Sequence, residues 1–166
     1  MNSEYYSSLK IHLCRLAELI QPTHFLTLRF HNRQPFTLSK GRRALRKFIA
    51  QVDARLMGRR RYSELSGLDQ SFFLAIPEGE VSSRSDALCR LHYNLLLLPP
   101  PDPQLRLDHR QFATMLRSFW AEVVPSGDAG TEAIHDASEL CSYVSKAIAD
   151  STSPVLNHYE LRLMSD

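Results

Sequence analysis

Apolar positions at helical spacing open the chain. From Glu4 to Ile20, the residues Tyr5, Leu9, His12, Leu13, Leu16 and Ile20 fall on one stripe, and Pro22 ends the run. The period then drops to two. His24 to Phe30 reads HFLTLRF, which sets Phe25, Thr27 and Arg29 on one side of a strand and Leu26, Leu28 and Phe30 on the other. After a polar turn, Ser39 is placed to cap a helix that runs to about Met57, with the stripe Leu45, Phe48, Ile49, Val52 and Leu56. Arg43, Arg46 and Lys47 fall outside that stripe. Gln70 to Pro77 and Cys89 to Leu98 read as two strands of a hairpin with a long polar tip. In the first of them Phe72, Leu74 and Ile76 share a side with Glu78, and Gly79 predicts that the strand stops before Glu80.

Pro99, Pro100, Pro101 and Pro103 make an extended linker. His109 to Val124 is the next amphipathic helix, with Phe112, Met115, Leu116, Phe119 and Val123 in its stripe. Gly127 to Ile134 reads as a short strand. Asp136 then caps a helix through Ala149, with Leu140, Val144 and Ile148 facing in, and His158 to Met164 is a final strand. The expected order is α-β-α-β-β-α-β-α-β. That order predicts an α+β fold: a central, antiparallel-rich sheet covered by helices, chiefly on one face. Residues 1–22 are an N-terminal helical extension to a single domain of residues 23–166.

Composition narrows the class without changing this picture. The chain has 166 residues, 43% of them apolar, which is enough to build one core and excludes a disordered chain. The longest aliphatic run, Leu95 to Leu98, falls far short of the roughly 20 residues of a membrane span. The first ten residues have an early acid and no apolar core, so they do not read as a secretory signal. Cys14, Cys89 and Cys141 stand far apart with no CxxC, which points away from a disulfide framework or a zinc knuckle. A cytoplasmic setting is therefore expected, with no membrane partner.

Charge does change the picture. The net charge is only +2, yet Lys40 to Tyr62 carries nine Lys and Arg residues against the single acid Asp53. Arg43, Lys47 and the triplet Arg59, Arg60 and Arg61 belong to this block, the footprint of a surface that meets polyanions. A solvated helix face is the plainer account of any such run.

Two groups of residues suggest chemistry. On the second hairpin strand, His92 and Asn94 alternate onto one face. If the hairpin pairs antiparallel, the carboxylate of Glu78 reaches the same face. One imidazole, one amide oxygen and one carboxylate make a mixed nitrogen and oxygen site that suits Mg²⁺ or Mn²⁺ better than zinc. On the late helix, Tyr143 and Lys146 stand three apart on one side, where an ammonium can stabilise a phenolate or a phosphate under attack. Alone, each pattern is commonplace. His-x-Asn is usually a half-exposed polar pair on a sheet, and YxxK is usually an ordinary helix.

In order along the chain, however, FLTLRF, LHYNLLL and SYVSKAI resemble the three motifs of the HUH endonucleases. Within that superfamily the chain looks like the rolling-circle replication initiators of small bacterial plasmids and filamentous phages. The resemblance covers residues 23–150 and implies an RRM-like core. It also implies Mn²⁺ or Mg²⁺ held by Glu78, His92 and Asn94, Tyr143 as the nucleophile and Lys146 as its accessory. The implied reaction nicks and rejoins single-stranded DNA through a 5′-phosphotyrosine and initiates rolling-circle replication. Single-stranded or hairpin origin DNA is the implied partner, with Arg29 of the first motif and the basic block as contacts. Host helicase and polymerase must do the rest, since no Walker-type phosphate loop is present. One position departs from the family pattern of His-hydrophobic-His: the second ligand is Asn94, a neutral and weaker donor. The alternative reading is therefore a catalytically weakened or inactive HUH-fold protein that only binds DNA. A third is an unrelated α+β protein, such as an RNA binder.

Overall fold

A computed structural model describes residues 3–31, 37–58, 70–81, 88–101, 103, 105–136 and 160–162. Its elements are α1 (Ser3–Ile20), β1 (His24–Phe30), α2 (Leu38–Met57), β2 (Phe72–Val81), β3 (Leu88–Leu98), α3 (His109–Val123), β4 (Gly127–Ala133) and β5 (Glu160–Arg162). The helix expected to follow Asp136 and run through Ala149 lies outside the described residues, as do Arg59, Arg60, Arg61, Tyr143 and Lys146.

The five strands make one sheet in the order β4-β1-β3-β2-β5. Every neighbouring pair is antiparallel. β1 and β2 therefore run parallel on either side of β3, and β3 and β4 run parallel on either side of β1. This is a split β-α-β arrangement made twice, with α2 and α3 as the crossovers. The fold is α+β with an antiparallel sheet and helices packed on it, as the periodicities predict.

Alternation decides which face those helices take. Leu26, Leu28 and Phe30 of β1, Leu91, Tyr93, Leu95 and Leu97 of β3, and Phe73 and Ala75 of β2 are buried together. Against them pack Leu45, Phe48, Ile49, Val52 and Leu56 of α2 and Phe112, Leu116 and Trp120 of α3. Trp120 is fully buried and stands edge-on to Phe30 and Phe48. Its indole Nε1 donates to the Arg29 carbonyl at 3.0 Å, which satisfies the ring's only donor and ties α3 to β1. Gly127 lies under this contact.

Two expectations need correction. The N-cap of α2 is Thr37, not Ser39: the Thr37 side chain accepts from Lys40 N at 3.3 Å, and its backbone is extended. Ser39 is already helical, because the first turn begins one residue after Thr37. β2 also does not stop before Glu80. It continues to Val81 through an irregularity between Glu78 and Glu80, and Gly79 sits within that irregularity rather than ending the strand.

Asp53, the lone acid of the basic block, is buried on α2. It accepts from the backbone N of Ser71 at 3.0 Å and from the Ser71 hydroxyl. The carboxylate thus fixes the approach to β2 against α2.

Two stability predictions follow from this packing. A Cβ on Gly127 would stand 2.6 Å from Trp120 Nε1 and 2.7 Å from the Arg29 carbonyl oxygen, and the latter is backbone that cannot swing away. Gly127→Ala should break the indole hydrogen bond and cost about 2–3 kcal/mol, read as a lower urea midpoint with an unchanged m-value. The second concerns His24, which is half-buried, lies 4.5 Å from the Phe112 ring and stacks on His109 with centroids 5.6 Å apart. Burial, and then the neighbouring His109 charge, lower its pKa from 6.5 to about 4. The unfolded chain then binds more protons between these values, so stability is full above pH 6.5 and falls as pH drops toward 4. After screening of a partly exposed ring, the loss should be about 1–2 kcal/mol. Urea midpoints at pH 7.5 and 4.5 should draw closer together in His24→Gln.

Candidate functional site

The helix layer covers one face of the sheet. Phe25, Thr27 and Arg29 of β1 alternate to the other, and so do His92, Asn94 and Leu96 of β3 and Leu74, Ile76 and Glu78 of β2. Register then lines these residues up across strands. Asp128, Arg29, His92 and Glu78 form one row over β4, β1, β3 and β2; Gly130, Thr27, Asn94 and Ile76 form the next. The second row continues into apolar residues: Ile76, Leu74 and Leu96 are buried. The polar groups thus gather at one end of this face, beside a dry patch.

Glu78 is the centre of that group. Its Oε2 lies 2.9 Å from His92 Nε2, and its Oε1 accepts from Asn94 Nδ2 at 2.7 Å. The Glu78 and His92 side chains are only 20% and 30% exposed, so their interaction is less screened than a surface pair. Asn94 Oδ1 accepts in turn from the Thr27 hydroxyl at 3.3 Å. Thr27, Asn94, Glu78 and His92 are therefore one hydrogen-bonded chain over three strands.

A carboxylate, an imidazole and an amide oxygen are donors that a hard divalent cation could use. The carboxylate and the imidazole stand 2.9 Å apart, joined by a hydrogen bond that a cation would replace. The amide places its N–H₂ rather than its oxygen toward Glu78, so Asn94 ligates only after its two termini exchange. Among the described residues no three His, Cys, Asp or Glu side chains group as a metal site; here the third ligand would be an amide.

Arg29 shares this face and is half-exposed. Its guanidinium reaches Asp128 at 3.1 Å, and His31 Nε2 reaches the other oxygen of the same carboxylate at 2.8 Å. Asp128 thus holds Arg29 beside the His92 row. Periodicity put Arg29, Glu78, His92 and Asn94 on their faces. It did not reveal Thr27 or Asp128 as their partners, because strand register sets those neighbours and no local pattern carries it.

The remaining predicted contacts are not brought together with these. Arg43 and Lys47 are exposed on α2, in the layer behind the opposite face of the sheet. Lys47 lines a groove of about 1260 Å³ between α2 and α3, with Arg55 and Arg110 at its edge and Leu107, Met115 and Phe119 along it. This groove is separated from Glu78 and His92 by the sheet itself.

Comparison with protein-family models, characterised proteins and solved structures finds no match to the chain. No helix among the described residues is long and apolar enough to cross a membrane.

The two-sided placement generates a prediction. If a bound strand wraps onto α2, replacing Arg43 and Lys47 together with Ala should weaken single-stranded DNA binding. It should also flatten the log–log salt dependence by about 1.4, the release expected from two phosphates. Fluorescence anisotropy over a salt series reads both, and an unchanged slope would show that neither side chain meets a phosphate.

Proposed function

We propose that this chain nicks and rejoins single-stranded DNA in a metal-dependent reaction that uses a tyrosine nucleophile and initiates rolling-circle replication. The observation that carries this reading is the convergence of Glu78, His92 and Asn94 on one face of the split β-α-β sheet, with the Glu78 carboxylate within hydrogen-bond reach of both other side chains. These are the positions that the resemblance to HUH endonucleases assigns to the metal. Glu78, His92 and Asn94 would hold Mn²⁺ or Mg²⁺, which when bound polarises the scissile phosphate.

The roles of Tyr143 and Lys146 come from the resemblance alone. The Tyr143 oxygen attacks phosphorus, and the bond from phosphorus to the 3′-side oxygen breaks. That oxygen leaves with a proton as a free 3′-hydroxyl, and the phosphate stays joined to Tyr143 on its 5′ side. Attack by a 3′-hydroxyl on the same linkage reverses the step and rejoins the strand. Lys146 would favour the phenolate. Arg29 is placed to meet the backbone of a strand lying across the His92 row. Origin DNA, single-stranded or folded as a hairpin, is the proposed substrate, with host helicase and polymerase as partners.

One observation favours the second reading, a DNA-binding protein of this fold with a weakened or inactive site. Asn94 N–H₂ and the His92 ring satisfy Glu78 without any cation. The test is a denaturing gel of the protein incubated with hairpin-bearing single strands and Mn²⁺. The nuclease reading expects a covalent adduct that is lost in Tyr143→Phe and in Glu78→Ala, while Tyr143→Phe keeps its DNA affinity within about twofold. DNA binding by wild type with no adduct on any such strand would favour the second reading.

A further inference from the structure

We propose that Thr27 is a positioning residue whose hydroxyl lets Asn94 serve as a metal ligand by accommodating either orientation of its amide. The inference rests on the metal reading above and concerns how this site works with an amide as its third ligand.

The amide is held from both ends. Nδ2 donates to Glu78 at 2.7 Å, and Oδ1 accepts from Thr27 at 3.3 Å. With Glu78 bare, this orientation is required, because turning Oδ1 toward the carboxylate would face two acceptors with no proton between them. With Glu78 bound to a divalent cation, the demand reverses. Asn94 must then present Oδ1, and its N–H₂ swings to where Oδ1 was, against Thr27. A residue there must donate in one state and accept in the other. A hydroxyl does both by rotating its proton, whereas a carbonyl, an ammonium or a methyl does not. His92 makes the matching change. In the bare cluster Nε2–H can donate to Glu78, and as a ligand Nε2 must be unprotonated with its proton on Nδ1.

Three features suit Thr27 to this task. Register places it directly opposite Asn94 on the neighbouring strand, so the pair is fixed by backbone rather than by a flexible reach. The 3.3 Å bond is long, so its loss costs the bare orientation little, whereas the loaded orientation without a hydroxyl would leave an amide N–H unpaired. On its other side Thr27 faces Gly130, which brings no side chain against it.

The test is Mn²⁺ uptake, measured by the loss of the free-ion paramagnetic resonance signal, with circular dichroism melts as a check of folding. Thr27→Val keeps the shape and removes the hydroxyl, and it should bind Mn²⁺ about tenfold more weakly than wild type. Thr27→Ala, which cannot overpack, should lose affinity likewise, and Thr27→Ser should restore it to within about twofold. Asn94→His needs no amide turn and should bind more tightly than wild type; adding Thr27→Val to it should change little. A structural role for Thr27 would instead lower affinity in both backgrounds. Wild-type uptake with equal uptake by Thr27→Val would overturn the role of Thr27 and leave the metal reading intact. A folded wild type that takes up no Mn²⁺ would overturn both.

Discussion

The register of β3 between β1 and β2 is the constraint on which the rest depends. β3 is the central strand, paired on both sides, and its side chains alternate between the helix-covered face and one that is polar at His92 and Asn94 and apolar at Leu96. Leu91, Tyr93, Leu95 and Leu97 meet the helices, while His92 and Asn94 meet Glu78 and Thr27. A slip of one residue would drive His92 and Asn94 into the core and turn four large apolar side chains outward. At about 1.5–3 kcal/mol for each buried side chain, such a slip would cost about 6–12 kcal/mol, comparable to the whole stability of a domain this size. The apolar face therefore fixes where the polar cluster lies. The site's geometry is inherited from core packing, and its own weaker interactions need only complete it.

The two faces hold different chemistry. One carries the helices, the buried Trp120 and, on the outer side of α2, a row of cations. The other carries the chain from Thr27 to His92 and the pair of Arg29 with Asp128. A nucleic acid strand meeting both would have to pass around an edge of the sheet. The cluster at Glu78 is compact, partly withdrawn from solvent and satisfied by its own donors. Its centre is a carboxylate that accepts from two side chains of the neighbouring strand.

Much of this was legible from periodicity, and the remainder failed for identifiable reasons. Alternation in HFLTLRF separated Leu26, Leu28 and Phe30 from Phe25, Thr27 and Arg29, and alternation in the second hairpin strand set His92 and Asn94 together on one face, as the structure has them. The stripes of α2 and α3 were legible for the same reason. The true cap of α2 was not, since Thr37 and Ser39 have equal chemistry and only backbone geometry separates them. The extension of β2 past Gly79 was missed because glycine marks both strand ends and bulges. Thr27 gave no signal as a partner of Asn94, for 67 residues separate them and only pairing of β1 with β3 joins them. The placement of Arg43 and Lys47 behind the sheet followed from the stripe itself, once the helix was known to cover the face that His92 does not use.

Asp53 has an effect that reaches beyond its hydrogen bonds to Ser71. By facing inward it removes from α2 the one negative group that could have balanced Lys40, Arg43, Arg46, Lys47 and Arg55, all of them exposed. The outer surface of this helix therefore presents charge of a single sign. Mobile anions must gather along it, and their density will follow the ionic composition of the medium. A residue buried for architectural reasons thus leaves the outer side of this helix to be neutralised by the medium or by a bound polyanion.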